Sequence, residues 1–226
     1  MTNKTYLNTD THLVFIGDLH GQVQKLDALV KQHNIDDNTK LVFIGDLIDN
    51  APDTDTDHIA LLTKVKQLVD DGSAYCIMGN HEFNAIGWAS KHNETGQWLR
   101  PHNENNTKQH QGFLNDVIEG SDVHHYWINW FKSLPLYLDF GKVRAIHACW
   151  QQNAVDELAK YTHDNNQLKT ESWQLAYNKT EYLYQLIETL LKGPEIELPI
   201  GHSFKDKTGT ARVHIPVTIH SAGFNT

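Results

Sequence analysis

The sequence predicts an α/β fold built from β-α-β-α-β units, with a binding site along one edge of the sheet. Three apolar runs each end in a glycine that polar residues follow at once, at Val14–Gly17, Leu41–Gly45 and Ala74–Gly79. An apolar run of about four to eight residues is typical of a buried strand, and a terminal glycine allows a sharp turn. The runs recur roughly 30 residues apart, the length of a crossover unit. We therefore expect ligands at the carboxyl ends of these strands, where open α/β sheets bind them.

The two segments between the runs are predicted helices. The first covers about residues 22–33, residues 34–40 return the chain to the second strand, and the second helix ends at Asp71 and Gly72, a helix C-terminal signal. Their apolar residues recur at helical spacing, as Val23, Leu26, Leu29 and Val30 and as Ile59, Leu61, Leu62, Val65, Leu68 and Val69. Right-handed crossovers then make the three strands parallel.

The segment after the third turn is less regular. Residues 91–111 are rich in His, Lys, Asn and Gln, which indicates either a polar insertion folded over the site or a solvated loop. Phe113–Ile118 and Tyr126–Phe131 are predicted helical pieces whose aromatic residues pack against the core.

The remainder of the chain begins with a predicted β-hairpin over Leu134–Val143, which leads into a further strand. Residues 154–192 are predicted helices with one apolar stripe, formed by Leu183, Leu186, Ile187 and Leu190.

Composition is typical of a single intracellular domain. The 226 residues are enough for one domain, 1–226, and carry a net charge of −9 with histidine neutral. An acidic balance gives no general attraction for nucleic acid or anionic membranes. Two cysteines do not make a disulfide framework, and no apolar leader or membrane span is evident. We expect a cytoplasmic protein with no membrane or nucleic-acid partner.

The three turns carry residues that commonly bind metal ions. The first contains Asp18 and His20, the second Asp46, and the third Asn80. Carboxylates, imidazoles and an amide oxygen suit Mn²⁺, Fe or Zn²⁺. Taken singly, Asp18 and Asp46 could instead cap the following helices. The joint pattern favours a metal site.

In order, the three turns are GDxHG, GDxxD and GNHE, and this order resembles the calcineurin-like metallophosphoesterase superfamily, in its phosphoprotein-phosphatase-like bacterial branch. A fourth match is the strand that ends in His147-Ala148. The resemblance implies a β-sandwich flanked by helices, and hydrolysis of phosphate esters by a metal-activated water at a two-metal site.

By the same resemblance, Asp18 and His20 hold one metal ion, Asp46 bridges, and Asn80 and His147 hold the second. A bridging carboxylate keeps two ions about 3.5 to 4 Å apart, which lets them act on one phosphate. Mn²⁺ is the favoured metal. On its own, His147 could equally be a structural buried histidine.

Two residues of these turns are predicted to be catalytic. His81 follows Asn80 directly, so its side chain leaves the turn in another direction, where an imidazolium could protonate the leaving group. The resemblance pairs Asp49 with His81, and this raises the pKa of the imidazole and fixes its tautomer. Glu82 is expected to hold the turn by hydrogen bonding.

The sequence departs from the protein Ser/Thr phosphatases at two phosphate-binding positions. Asn50-Ala51 stands where those enzymes have Arg-Gly, and Met78 stands where they have arginine before GNHE. Asparagine cannot replace the bidentate grip of a guanidinium. The expected substrates are phosphorylated small molecules or nucleotides, including dinucleoside polyphosphates, with phosphoproteins a further class. The cations that could substitute are Lys91, Arg100, Lys108 and Arg144.

The last ligand of the second metal is open in the sequence. The family expects a strand ending in Gly-His; Gly201-His202 matches in type but follows a run broken by Pro199, and the segment 204–209 is predicted to be a loop. His220 is the other candidate. If neither serves, the chain lacks one ligand and part of its second sheet.

A second class of function also fits the sequence. A catalytically impaired relative would keep the fold and act as a binding or regulatory protein, as Asn50, Met78 and the open last ligand suggest. The presence of both Asp49 and His81 favours the enzyme, because a binding module needs no acid.

Overall fold

The structure is a computed structural model that describes residues 10–32, 36, 38–49, 56–199, 201–205 and 211–216. Strands and helices alternate in its first part, and helices dominate the middle. The strands are β1 His12–Ile16, β2 Thr39–Phe43, β3 Ala74–Cys76, β4 Tyr137–Asp139, β5 Arg144–Ile146, β6 Glu195–Glu197, β7 Phe204–Lys205, β8 Ala211–Arg212 and β9 His214–Pro216. The helices are α1 Val23–Gln32, α2 His58–Asp70, α3 Asn80–Trp88, α4 Glu104–Val117, α5 Asp122–Lys132, α6 Gln152–Leu158, α7 Trp173–Tyr177 and α8 Tyr182–Lys192, with a 3-10 turn over Thr170–Ser172.

The central sheet has the strand order β1-β2-β3, and both pairings are parallel. Val14 lies opposite Leu41, and Leu41 opposite Ala74. The three carboxyl ends therefore meet at one edge, and the predicted β-α-β-α-β arrangement with its two crossover helices is confirmed.

Side chains alternate between the two faces of this sheet. On β2, Leu41 and Phe43 belong to the large core shared with the helices, whereas Val42 belongs to a separate small cluster. That cluster also contains Leu138 of β4 and Ala145 of β5. The β4–β5 hairpin thus covers one face and the helices cover the other, which gives a layered α/β architecture.

The β4–β5 hairpin is antiparallel, as the sequence predicts, with Leu138 opposite Ala145. It delivers His147 directly after β5. The predicted aromatic packing is also confirmed, because Trp127, Trp130 and Phe131 of α5 are buried in the large core.

Two parts of the chain contain more regular structure than their sequence indicates. Helix α4 begins at Glu104, capped by Asn103, so it takes in the end of the polar segment 91–111. The segment 204–209 was expected to be a loop, but Phe204–Lys205 forms β7, which pairs with β8. In the residues the structure describes, no helix is long and apolar enough to cross a membrane.

Candidate metal centre

The first two turns are locked together through their backbones. The N–H groups of Leu19 and His20 both donate to the carbonyl oxygen of Asp46, at 3.0 and 3.1 Å, and the Gly21 N–H donates to Leu47 at 2.8 Å. The position of His20 is therefore set by the second turn as much as by its own strand.

The second and third turns touch because both contain glycine. A Cβ on Gly45 would lie 2.3 Å from the Gly79 nitrogen, and a Cβ on Gly79 would lie 2.4 Å from the Asp46 nitrogen. Gly45 also has a φ of +90°, which side chains rarely tolerate. No other residue allows the two backbones to come this close.

Glu82 also connects these two turns, through hydrogen bonds. Its carboxylate accepts hydrogen bonds from the N–H groups of Asp46 and Gly79, both at 2.9 Å, and of Leu47 at 2.8 Å. The side chain is fully buried, and burial together with the nearby Asp46 charge raises its pKa. The prediction that Glu82 holds the turn by hydrogen bonding is confirmed.

Three of the predicted site residues adopt a left-handed backbone conformation. The φ angles are 45° for His20, 53° for Asp46 and 64° for Asp49. Such a conformation costs a residue with a Cβ about 1–2 kcal/mol, and strain of this kind concentrates at functional sites. The interlocked turns hold these residues in place against that cost.

The two predicted histidine ligands are oriented in the same way. Nδ1 of His20 donates to the carbonyl oxygen of Ile48 at 2.8 Å, and Nδ1 of His147 donates to that of Ile44 at 2.6 Å. Each bond fixes the ring through one nitrogen and turns Nε2 toward the centre of the site. Ligand histidines are held in this manner at metal sites.

Asp46 lies between two groups of potential ligands. On one side, His147 Nε2 is 3.5 Å from Asp46 Oδ2 and 2.9 Å from Asn80 Oδ1. On the other side, ligand atoms of His20, Asp46 and His81 all lie within 4.8 Å of one another. Asp18 Oδ2 is 3.9 Å from His20 Nε2, at the exposed side of this group.

The donor chemistry of this cluster fits divalent cations. Burial opposes a charged imidazole, yet the hydrogen bond to Asp46 and its negative charge raise the pKa of His147 to about 9. The site thus favours positive charge where oxygen and nitrogen lone pairs converge, and this is a donor set that Mn²⁺, Fe or Zn²⁺ accepts.

Asp49 lies behind the cluster and bridges two histidines. Its Oδ2 accepts from His81 Nδ1 at 3.1 Å, and its Oδ1 accepts from His110 Nδ1 at 2.7 Å. Burial opposes the charge, but the charges and hydrogen bonds of both imidazoles outweigh burial and lower the pKa of Asp49 to about 2. Burial likewise lowers the pKa of His81, but the hydrogen bond to Asp49 and the charges of Asp46 and Asp49 raise it above its ordinary value overall.

His110 was not predicted to be a site residue. It lies on α4, far along the chain from the turns, within the segment 91–111, which was expected to be either a polar insertion folded over the site or a solvated loop. One signal was present: His110, Phe113, Leu114 and Val117 share helical spacing, and all four are buried.

Among the described residues, His20, Asp46 and His81 form the group that is close enough to share one ion. His202 is not part of this group. It is exposed, and its backbone N–H donates to the carbonyl oxygen of Pro199. Its role as a ligand stays a prediction. Asn50 and His220 fall outside the described residues.

The four cations considered for phosphate binding occupy different environments. Arg100 is only 8% exposed and donates to Gln109 at 2.6 Å, so its guanidinium is held inside the protein. Arg144, Lys91 and Lys108 are exposed. Arg144 lies on the strand that ends at His147.

Comparison with known proteins identifies a family. The family model described as calcineurin-like phosphoesterase matches residues 11–207, which is most of the chain. No curated protein matches the sequence.

Three of the solved structures that the chain matches are the following. A candidate diadenosine tetraphosphatase is 19% identical, with a TM-score of 0.41, over 68% of this chain and 59% of its own. A protein serine/threonine phosphatase from Saccharomyces cerevisiae is 19% identical, with a TM-score of 0.41, over 61% and 38%. A metallophosphoesterase from Sphaerobacter thermophilus is 16% identical, with a TM-score of 0.41, over 60% and 46%. The chain thus spans between 38% and 59% of the length of these proteins.

Proposed function

This chain belongs to the calcineurin-like phosphoesterase family, and from that premise we propose that it hydrolyses phosphate esters at a two-metal site centred on Asp46. The observation that carries the proposal is the position of Asp46 between His20 on one side and Asn80 and His147 on the other.

The proposed ligands divide between two ions. Asp18, His20 and Asp46 would hold the first, and Asp46, Asn80 and His147 the second, with His202 the candidate for its last position. When bound, two divalent ions supply Lewis-acid polarisation of the phosphate ester and make a water nucleophilic at neutral pH. Mn²⁺ is the metal we favour.

The protein's own contribution to the chemistry is a proton. As water adds to phosphorus, the bond between phosphorus and the leaving oxygen breaks, and that oxygen needs a proton. His81 is positioned to donate it, because Nδ1 is bonded to Asp49 while Nε2 points toward Asp46, at 3.8 Å from Oδ2. The hydrogen bond to Asp49 and the charges of Asp46 and Asp49 raise the pKa of His81 and so favour the protonated imidazole that a general acid requires.

We propose phosphorylated small molecules or nucleotides as substrates, with phosphoproteins a further class. The two cysteines are both free thiols, Cys76 buried and Cys149 partly exposed, which agrees with the proposed cytoplasmic location. We further propose that residues 1–226 form one catalytic domain, whose segment 91–111 is an insertion over the site. His110, at the end of that segment, reaches Asp49.

Metal removal and reconstitution test the proposed function. Chelation should abolish hydrolysis of an aryl phosphate, and Mn²⁺ should restore it, because the site as proposed contains no protein nucleophile. Asp46→Asn should lose metal more readily than Asn80→Ala, since only Asp46 is proposed to bridge. Asp156→Asn, at an exposed position of α6, is the matched control and should keep both metal and activity.

Either of two results would overturn the proposal. Full activity in excess chelator would exclude the metal mechanism, and equal metal content in Asp46→Asn and Asn80→Ala would remove the bridging role.

A further inference from the structure

We propose that His110 is a positioning residue of the reaction: by holding one oxygen of the Asp49 carboxylate, it fixes the other oxygen on His81. The inference rests on the proposed function, in which His81 is the acid. It adds a third member, from a different part of the chain, to the His81–Asp49 pair that the turns provide.

The contacts form one continuous chain of hydrogen bonds. His110 Nδ1 lies 2.7 Å from Asp49 Oδ1, and Asp49 Oδ2 lies 3.1 Å from His81 Nδ1. The three residues are at most 3% exposed, so water does not compete for these bonds. The shorter bond is the one to His110.

Asp49 needs an external support. Its backbone is left-handed, with a φ of 64°. A carboxylate bonded through only one oxygen can rotate about its side-chain torsions. With both oxygens bonded, rotation breaks two hydrogen bonds in a buried site.

A purely structural role explains His110 poorly. The ring packs between Trp88 and Phe113, with centroids 5.5 and 5.3 Å away, in a pocket that an aromatic hydrocarbon ring would fill. Its Nε2 is buried and has no hydrogen-bond partner among the described residues. Burying that nitrogen costs free energy that a phenylalanine would avoid. What the imidazole adds is the Nδ1 bond to Asp49.

The consequence is a fixed orientation for the acid. With Asp49 held, the N–H at Nδ1 of His81 stays hydrogen-bonded to the carboxylate. Nε2 then stays on the side of Asp46. A small misplacement of a proton donor lowers the rate of the step that it serves, without a matching effect on substrate binding.

The test compares His110→Phe with His110→Asn. Phenylalanine keeps the ring and loses the donor, whereas asparagine keeps an N–H near the position of Nδ1. We expect His110→Phe to lower kcat for an alkyl phosphate about tenfold or more, with unchanged KM and metal content. The loss should be much smaller for an aryl phosphate with a good leaving group. His110→Asn should recover most of the rate.

His58→Phe is the matched control. His58 is also fully buried, is also bonded through Nδ1 to an aspartate, Asp116 at 2.7 Å, and also has an Nε2 without a partner in the described structure. Its hydrogen bonds among the described residues go to Asp116 and not to Asp49. It should therefore reproduce any general cost of replacing a buried histidine, without the leaving-group dependence.

A measurement on the metal-free protein separates this inference from the proposed function. The Nδ1 proton of His81 should give a downfield, slowly exchanging ¹H–¹⁵N resonance in the parent and in His58→Phe, and a shifted or fast-exchanging one in His110→Phe. That result would support the positioning role even if no phosphate ester were hydrolysed, an outcome that overturns the proposed function alone. An unchanged His81 resonance in His110→Phe, or rate losses equal to those of His58→Phe for both substrates, would overturn the positioning role.

Discussion

At the scale of the residue, Glu82 connects the turns that carry the candidate ligands. It is the fully buried acceptor of three backbone N–H groups that have no place in a helix or strand ladder. Each buried donor left without a partner costs about 1–3 kcal/mol. The candidate metal centre therefore depends on a residue that is not itself a ligand.

Glu82→Ala should lower the free energy of unfolding by about 3 kcal/mol or more, because it leaves three N–H groups unpaired. Glu82→Gln should cost less, since its amide keeps one acceptor oxygen. Urea denaturation measures both, and the exposed Glu94→Ala is the control. A loss below about 1 kcal/mol in Glu82→Ala would contradict this role.

Substitution can show whether His81 acts as an acid or as a metal ligand. The structure raises this question because the ring of His81 lies close to His20 and Asp46. As an acid, His81→Asn should keep its metal and lose about 10²- to 10⁴-fold in rate, most strongly with poor leaving groups. Asp49→Asn should give a smaller defect of the same kind. Metal analysis and rates across a leaving-group series measure this; loss of metal in His81→Asn would place the residue among the ligands.

At the scale of the element, the contact between the second and third turns decides where the ligands lie. It requires glycine on both sides, because a side chain at Gly45 would overlap the backbone of Gly79. Without this close approach, Asp46 and Asn80 would lie further apart.

Gly45→Ala should therefore cost stability and metal affinity together. The substitution combines a φ of +90° with a backbone overlap, so we expect a loss of more than 2 kcal/mol, above the roughly 1–2 kcal/mol of a left-handed alanine alone. Gly120→Ala separates the two costs, since Gly120 has a φ of +77° and nothing within 4 Å of an added Cβ. Equal losses of stability and of metal in the two variants would contradict the argument.

At the scale of the whole molecule, buried histidines link the helical layer to the sheet edge. His124 of α5 is buried, accepts a hydrogen bond from the Gly120 N–H through Nδ1, and lies near His110. Burial and the neighbouring imidazoles of His110 and His125 lower its pKa from 6.5 to about 4. A proton on Nδ1 would also abolish the bond from Gly120.

The titration of His124 is therefore predicted to lower stability in mild acid. Between pH 6.5 and about 4 the unfolded chain takes up a proton at His124 that the folded protein does not, so stability falls as pH falls through that window. Asp49 contributes only at lower pH, because its folded pKa is about 2.

Urea midpoints across pH 4.5–7.5 check the prediction. His124→Gln keeps an oxygen for the Gly120 N–H and removes the titrating ring, so its midpoint should fall less with pH than that of the parent. The exposed His163→Gln is the control and should keep the parent's dependence, because His163 is not among the groups that shift the pKa of His124. Parallel curves for the parent and His124→Gln would contradict the assignment.

The sequence alone was sufficient to predict the helices and strands that are specified by patterns within a short stretch of the chain. Strands β1 to β3, the two crossover helices and the β4–β5 hairpin follow from apolar periodicity and from glycines over short windows. The ligand types and their order along the chain are equally local. They pointed to the family that the match over residues 11–207 then established.

What only the tertiary structure decided depends on contacts between distant residues. The bond from His110 to Asp49 joins positions 61 residues apart and comes from a segment whose polarity left open whether it folds over the site or lies in solvent. The left-handed conformations of His20, Asp46 and Asp49 likewise depend on their surroundings, because a left-handed backbone is uncommon even for Asp and His, which adopt it more often than most residues with a Cβ. Local pattern specifies an element because it reflects the chain's own propensities and burial. A catalytic arrangement depends on which elements meet, and that is fixed only when the whole core packs.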